Sequence, residues 1–188
     1  MCCRCGHRQD NTVLTAINVA DDLSLKEKVL SGELFIWHCP ECGSANLMRY
    51  PLLYHDPDSH LIVVLTDAEV NADGLPDGYA GRLVRSVGDL VEKIKINDAG
   101  LDDVVIEMCK YITLKELGCS HALRFVSLDG ADSSMTFTYP QDGQMQMLSV
   151  GLNVYEDCLA IAQRNPAMMK SVSGLVTIDQ AWLSGFFG

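Results

Sequence analysis

Two short cysteine pairs constrain this chain more than any other feature: Cys2-Cys3-Arg4-Cys5-Gly6 and Cys39-Pro40-Glu41-Cys42-Gly43. In a C-x-x-C-G turn the two intervening residues bring both sulfurs to one side of a tight loop. The glycine lets the backbone curl, so that amide N–H groups can point at the thiolates. Two such knuckles supply four thiolates, the tetrahedral shell of a closed structural zinc (Zn2+) site. A redox C-x-x-C calls for a strand–helix context and has no use for a second pair. A disulfide framework suits a small secreted domain better than an acidic chain without a signal segment. Rubredoxin-like iron uses similar knuckles and stays open as an alternative, because four thiolates also suit iron.

The x-x spacing favours Cys2 with Cys5, since Cys3 with Cys5 would make a C-x-C bite; Cys3 is still a candidate to replace Cys2. The expected ligands are therefore Cys2, Cys5, Cys39 and Cys42. His7 and His38 flank the knuckles and read as surface residues or as groups that support the ligands. Cys109, Cys119 and Cys158 read as small buried apolar groups.

Charge narrows the partners. With 14 basic against 25 acidic residues the chain carries −11, which disfavours a phosphate-backbone binder. Its longest aliphatic run, Leu61 to Leu65, falls far short of the roughly 20 residues of a membrane span. With no signal-like opening either, the expected location is the cytoplasm, away from membranes.

The pattern along the chain predicts an α+β fold. Residues 12–19 alternate like a strand; Asp21 or Asp22 can cap a helix through Leu30, which Gly32 ends. Strands are expected near 33–38, 45–54 and 60–66. With the knuckles they make a zinc-ribbon-like antiparallel sheet, here with a helix between the knuckles. Residues 67–81, rich in Asp, Gly, Asn and Pro, read as a linker between a 1–66 ribbon domain and an 82–188 α+β domain. In the second unit Val84, Val87, Leu90, Val91 and Ile94 recur at helical spacing, as do Leu101, Val104, Val105, Met108, Cys109 and Ile112, with a break at Ala99-Gly100. A helical hairpin is therefore expected, then a three-stranded meander over 122–128, 135–139 and 145–150 with turns at Asp129-Gly130 and Asp142-Gly143. A helix from Leu152 and a short Asp179-led helix carrying Trp182 complete the set.

Four constellations remain, three polar and one of methionines. His55, Asp56, Asp58 and His60 could form a second, open metal site, but turn chemistry around Pro57 explains most of them. Asp102, Asp103 and Glu107 could hold a cation or act as an acid–base pair; an N-cap and a favourable helix dipole account for the same residues. Arg82 and Arg85 could bind an anion, although a salt bridge to the acidic helical hairpin is the plainer reading. Met135, Met145 and Met147 fit strand alternation as core filler.

With both knuckles in view, the chain resembles the CpXC family. The similarity extends to Asp22–Gly32 (DLSLKEKVLSG), Glu33–Cys39 (ELFIWHC), Tyr50–Asp56 (YPLLYHD), Arg82–Lys110 and Val176–Trp182. The resemblance implies Cys2, Cys5, Cys39 and Cys42 as ligands and carries no activity with it. Position 3 departs from the family, holding Cys where Pro is usual.

No phosphate-binding glycine loop, G-x-G-x-x-G, nucleophile elbow or H-E-x-x-H is present. The expected function is therefore a non-enzymatic, zinc-stabilised cytoplasmic module that binds another macromolecule, with a protein as the expected partner and no catalytic residue named. The alternatives are a metal-dependent or acid–base enzyme with a site between the two units, and a rubredoxin-like redox protein.

Overall fold

The computed structural model describes residues 5–70, 74–118 and 122–187. Strand β1 (Ala16–Asn18) leads to helix α1 (Ser24–Leu30) and a 3-10 turn over Glu33–Phe35. The hairpin β2 (Ile36–His38) and β3 (Ala45–Leu47) follows, then β4 (Leu52–Asp56), β5 (Leu61–Leu65) and β6 (Ala80–Val84). Helices α2 (Val87–Asp98) and α3 (Asp103–Leu117) precede the meander β7 (Arg124–Asp129), β8 (Ser134–Gln141) and β9 (Gln144–Gly151). Helix α4 (Leu152–Gln163), α5 (Pro166–Lys170), β10 (Leu175–Val176) and α6 (Gln180–Ser184) end the order. The α+β class, the antiparallel ribbon hairpin, the helical hairpin and the meander are as the sequence predicts.

The main sheet is larger than expected. Its order is β1-β4-β5-β6-β10, with β4 and β5 antiparallel and the other neighbours parallel. Strand β5, LIVVL, runs through its middle and alternates fully buried with half-buried side chains. Strand β6 begins inside the 67–81 segment and β10 lies beyond it, so residues on both sides of that segment share one sheet. Val84, expected on a helix, ends strand β6, and α2 starts after it. Gly81 is needed inside β6: an added Cβ would lie 2.7 Å from the Gly174 carbonyl and 2.7 Å from the Leu75 side chain.

Two apolar cores result. One packs β1, β4 and β5 against α1 and α2 through Val29, Phe35, Tyr54, Leu90 and Ile94. The other packs the meander under α3 and α4 through Ile106, Cys109, Phe125, Phe137 and Cys158. Helix α2 serves both, giving Leu90 and Ile94 to the first and Ile96 to the second. Its start is a reciprocal cap: Asp89 N donates to Ser86 Oγ, and that hydroxyl donates to Asp89 Oδ2. Met145 and Met147 are not core filler, for they are 60% and 70% exposed while Met135 is fully buried. The Asp142-Gly143 turn sets the register that explains this. Met135 faces Val150 and Phe137 faces Leu148, which leaves the odd-numbered residues of β9 on the outer face.

Candidate metal centre

The ribbon hairpin presents the second knuckle at its tip. Strands β2 and β3 pair Ile36 with Leu47, Trp37 with Asn46 and His38 with Ala45. Beyond them Gly43 N donates to Cys39 O at 2.8 Å and Cys39 N donates to Ser44 O at 3.0 Å, closing the turn. Gly43 and Gly6 both adopt positive φ, 67° and 81°, the curl that a knuckle requires.

Cys5, Cys39 and Cys42 come together with their sulfurs all within 4.8 Å of one another, a group that could hold a metal ion. Zinc–thiolate bonds of about 2.3 Å in a tetrahedron place neighbouring sulfurs about 3.8 Å apart. Cys5 Sγ and Cys39 Sγ lie 3.7 Å apart, so the pair already spans one tetrahedral edge. The donor set suits a thiophilic ion. Cys39 is buried while Cys5 and Cys42 face solvent. The Cys42 thiol donates to Ser44 Oγ at 3.3 Å; with a thiolate the hydroxyl would donate instead. Cys2 and Cys3 lie outside the described residues, as does Cys119.

Neither flanking histidine joins the cluster. His7 stacks on Trp37, ring centroids 6.3 Å apart, and His38 is exposed on β2. Cys39 also packs with Trp37 and Met48 in a small apolar cluster. The base of the ribbon is tied to the main core by Phe35 stacked on Tyr50 at 5.4 Å and by Tyr50 OH donating to Leu34 O at 2.7 Å.

The His55–His60 turn does not assemble as a ligand set. His55 Nε2 lies 3.3 Å from Tyr79 OH, while Asp58 and His60 are exposed. Asp56 is buried, paired with Lys26 at 3.1 Å and accepting from Ser59 N at 3.2 Å. Among the described residues the cysteine trio alone forms a metal-type cluster.

The carboxylates near the start of α3 take three separate parts. Asp102 is the N-cap, accepting from Val104 N and Val105 N. Asp103 holds Arg82 through both oxygens, at 2.8 and 2.9 Å, and Lys93 at 2.7 Å. Burial alone would raise its pKa, but Lys93 and Arg82 outweigh it and hold the carboxyl at about 2. The expected salt bridge from Arg82 is thus present, whereas Arg85 donates to the carbonyls of Thr66 and Ala68. Glu107 shares Lys110 with Glu92, each oxygen 2.7 Å from the ammonium, and accepts from Gln180 on α6. Burial works against the charge on Lys110, yet Glu92 and Glu107 keep its pKa above the ordinary lysine value.

Glu92, Lys93 and Lys110 were not legible as partners. In the sequence they look like the wet face of two amphipathic helices, but each is 4–5% exposed. The spacing of Glu107 and Lys110 at i and i+3 was the one local sign of pairing.

The model of one family, described as CpXC protein, matches residues 1–110. No curated protein and no solved structure matches the chain.

Proposed function

The chain belongs to the CpXC family, and on that premise we propose that it is a zinc-stabilised, non-enzymatic cytoplasmic module that docks another protein. In this reading Cys2 joins Cys5, Cys39 and Cys42 to complete the shell. Four thiolates leave no open position on the ion for a substrate water, which makes the site structural. The observation that carries the reading is the 3.7 Å spacing of Cys5 and Cys39 within the three-sulfur cluster.

The ribbon's surface supports docking. Ile36 and Leu47, directly opposed across the hairpin, are 41% and 59% exposed. Leu47 also lines a cavity of about 370 Å³ with Arg49, Pro51, Val87 and Arg85. That combination of apolar wall and arginine rim suits a protein side chain better than a nucleic acid, given the overall acidity.

Metal analysis of the purified chain with a visible spectrum of the same sample tests the first half. One zinc per chain and no visible band supports it; iron with visible absorbance overturns it in favour of electron transfer. Affinity capture with the wild type and with Leu47→Asp tests the second half. The expected result is a partner enriched by the wild type and lost by the variant; equal recovery by both overturns the docking face.

A further inference from the structure

Beyond the ribbon, a cavity of about 310 Å³ opens between α2, α3, the start of β7 and α6. Glu92, Lys93, Glu107 and Lys110 line it, each at least nine-tenths buried. The salt-bridged Asp89 and Arg124 stand in its wall at 39% and 36% side-chain exposure, marking the open rim. Buried ion pairs seldom repay their desolvation when measured against apolar side chains of the same size. Four buried charges around one cavity therefore need a reason other than stability.

The unspent hydrogen-bonding capacity supplies one. Glu92 Oε1 accepts from Phe125 N and faces Lys110, but Oε2 takes no bond from the described residues. Glu92 itself lines the cavity at 5% exposure. Lys110 spends its ammonium on Glu92 and Glu107, and Lys93 on Asp103 and the Ile178 carbonyl. Each ammonium has three donors, so each keeps one. The cavity is thus lined by a carboxylate and two ammonium groups that have bonding capacity to spare, between apolar walls that include Leu114 and Leu123. Its lining holds four acidic and four basic side chains. A balanced lining repels neither end of a dipolar ligand, while a lone anion or cation leaves half of the set unmatched.

We propose that this cavity binds a small zwitterion of the α-amino-acid class with an apolar side chain, its ammonium on Glu92 and its carboxylate on the lysine ammonium groups. The volume lies at the low end of the range for small-molecule pockets.

Thermal melts of the full chain with each of the twenty proteinogenic amino acids, followed by calorimetric titration, test this. An aliphatic amino acid is expected to raise the melting temperature by about 3–5 °C at tenfold its Kd. The matching amine and the matching carboxylic acid, each lacking the other charge, are expected to give no shift. Glu92→Gln keeps the bond from Phe125 N and is expected to weaken binding at least tenfold, while Arg124→Gln at the rim serves if the first variant does not fold. No shift with any amino acid overturns the proposal. So does an equal shift from the amine or acid alone, or binding unchanged in both variants.

Discussion

Replacing Asp103 by Asn removes one charge from a buried triad and keeps its shape. Asp103 faces Arg82 and Lys93, side chains that are 9% and 5% exposed. Its folded pKa of about 2 lies below the reference value of 3.8. At 1.36 kcal/mol per unit the depression corresponds to about 2–3 kcal/mol of stability at neutral pH. The variant also leaves two buried cations short of their partner, for which losses of about 3–5 kcal/mol are typical. Asp103→Asn should therefore lower the unfolding free energy at pH 7 by roughly 3 kcal/mol. The sign follows from the depressed pKa. The contribution is fully present above pH 3.8 and is lost as pH falls towards 2, with about half gone by pH 3. Urea unfolding of wild type and variant at pH 7 and pH 3, both at the same metal content, reads the gap directly. A gap below about 0.5 kcal/mol at pH 7 would refute the reasoning, as would one that stays constant down to pH 3.

Cys39→Ser should abolish metal uptake and, in hydrogen exchange, expose amides 36–47 while those of α2 and α3 stay protected; loss of protection in both regions would show that the ribbon is not a separate unit. Gly81→Ala should cost about 1–3 kcal/mol, because its methyl group meets the Gly174 carbonyl, a backbone atom that cannot turn aside; an unchanged melting temperature would contradict this. Cys109 and Cys158 are fully buried, and the hydrogen bond to Cys158 together with burial pushes the Cys109 thiol up. N-ethylmaleimide should therefore leave both unlabelled until denaturant is added, and labelling of either in the native chain would disprove their enclosure.

What could be read in advance follows a physical division. The knuckles are legible because metal spacing is local: two residues, a glycine and a tight turn. Helices α2 and α3 are legible because burial of one face imposes a period of 3.6, and the meander turns because Asp142-Gly143 supplies two successive positive φ values, 51° and 76°. Strand β6 was not. Ala80–Val84 contains a glycine and an arginine, and only its parallel partners, β5 across the 67–81 segment and β10 far off in sequence, make it a strand. The same holds for Glu92, Lys93 and Lys110. A charge can be buried only when its counter-charges are buried with it: Glu92 on α2 meets Lys110 on α3, and Lys93 on α2 meets Asp103 at the start of α3, with the Ile178 carbonyl as a further acceptor. Such a set is a property of the tertiary arrangement, so no window of sequence displays it.

The two halves of the molecule differ in how they are held, and this bears on how the ribbon would work. Helix α2 is clamped by two apolar cores and by ion pairs to α3 and β7. The ribbon has Trp37, Cys39 and Met48 for a core of its own. Ordering a residue costs about 1–2 kcal/mol of backbone entropy, so three apolar side chains cannot hold a dozen residues of hairpin. A structural zinc, with an apparent binding free energy of roughly 10–16 kcal/mol, can. Metal loss would then open the hairpin from its knuckle end, while Phe35 and Tyr50 keep its base on the main core. The cavity beside Leu47 has one wall on the ribbon and the other at the start of α2, in Ser86, Val87 and Gly88. With a metal in the cysteine cluster, its shape would depend on that metal through one wall alone. Under the proposed function, a partner that binds there senses the state of four cysteines it never touches.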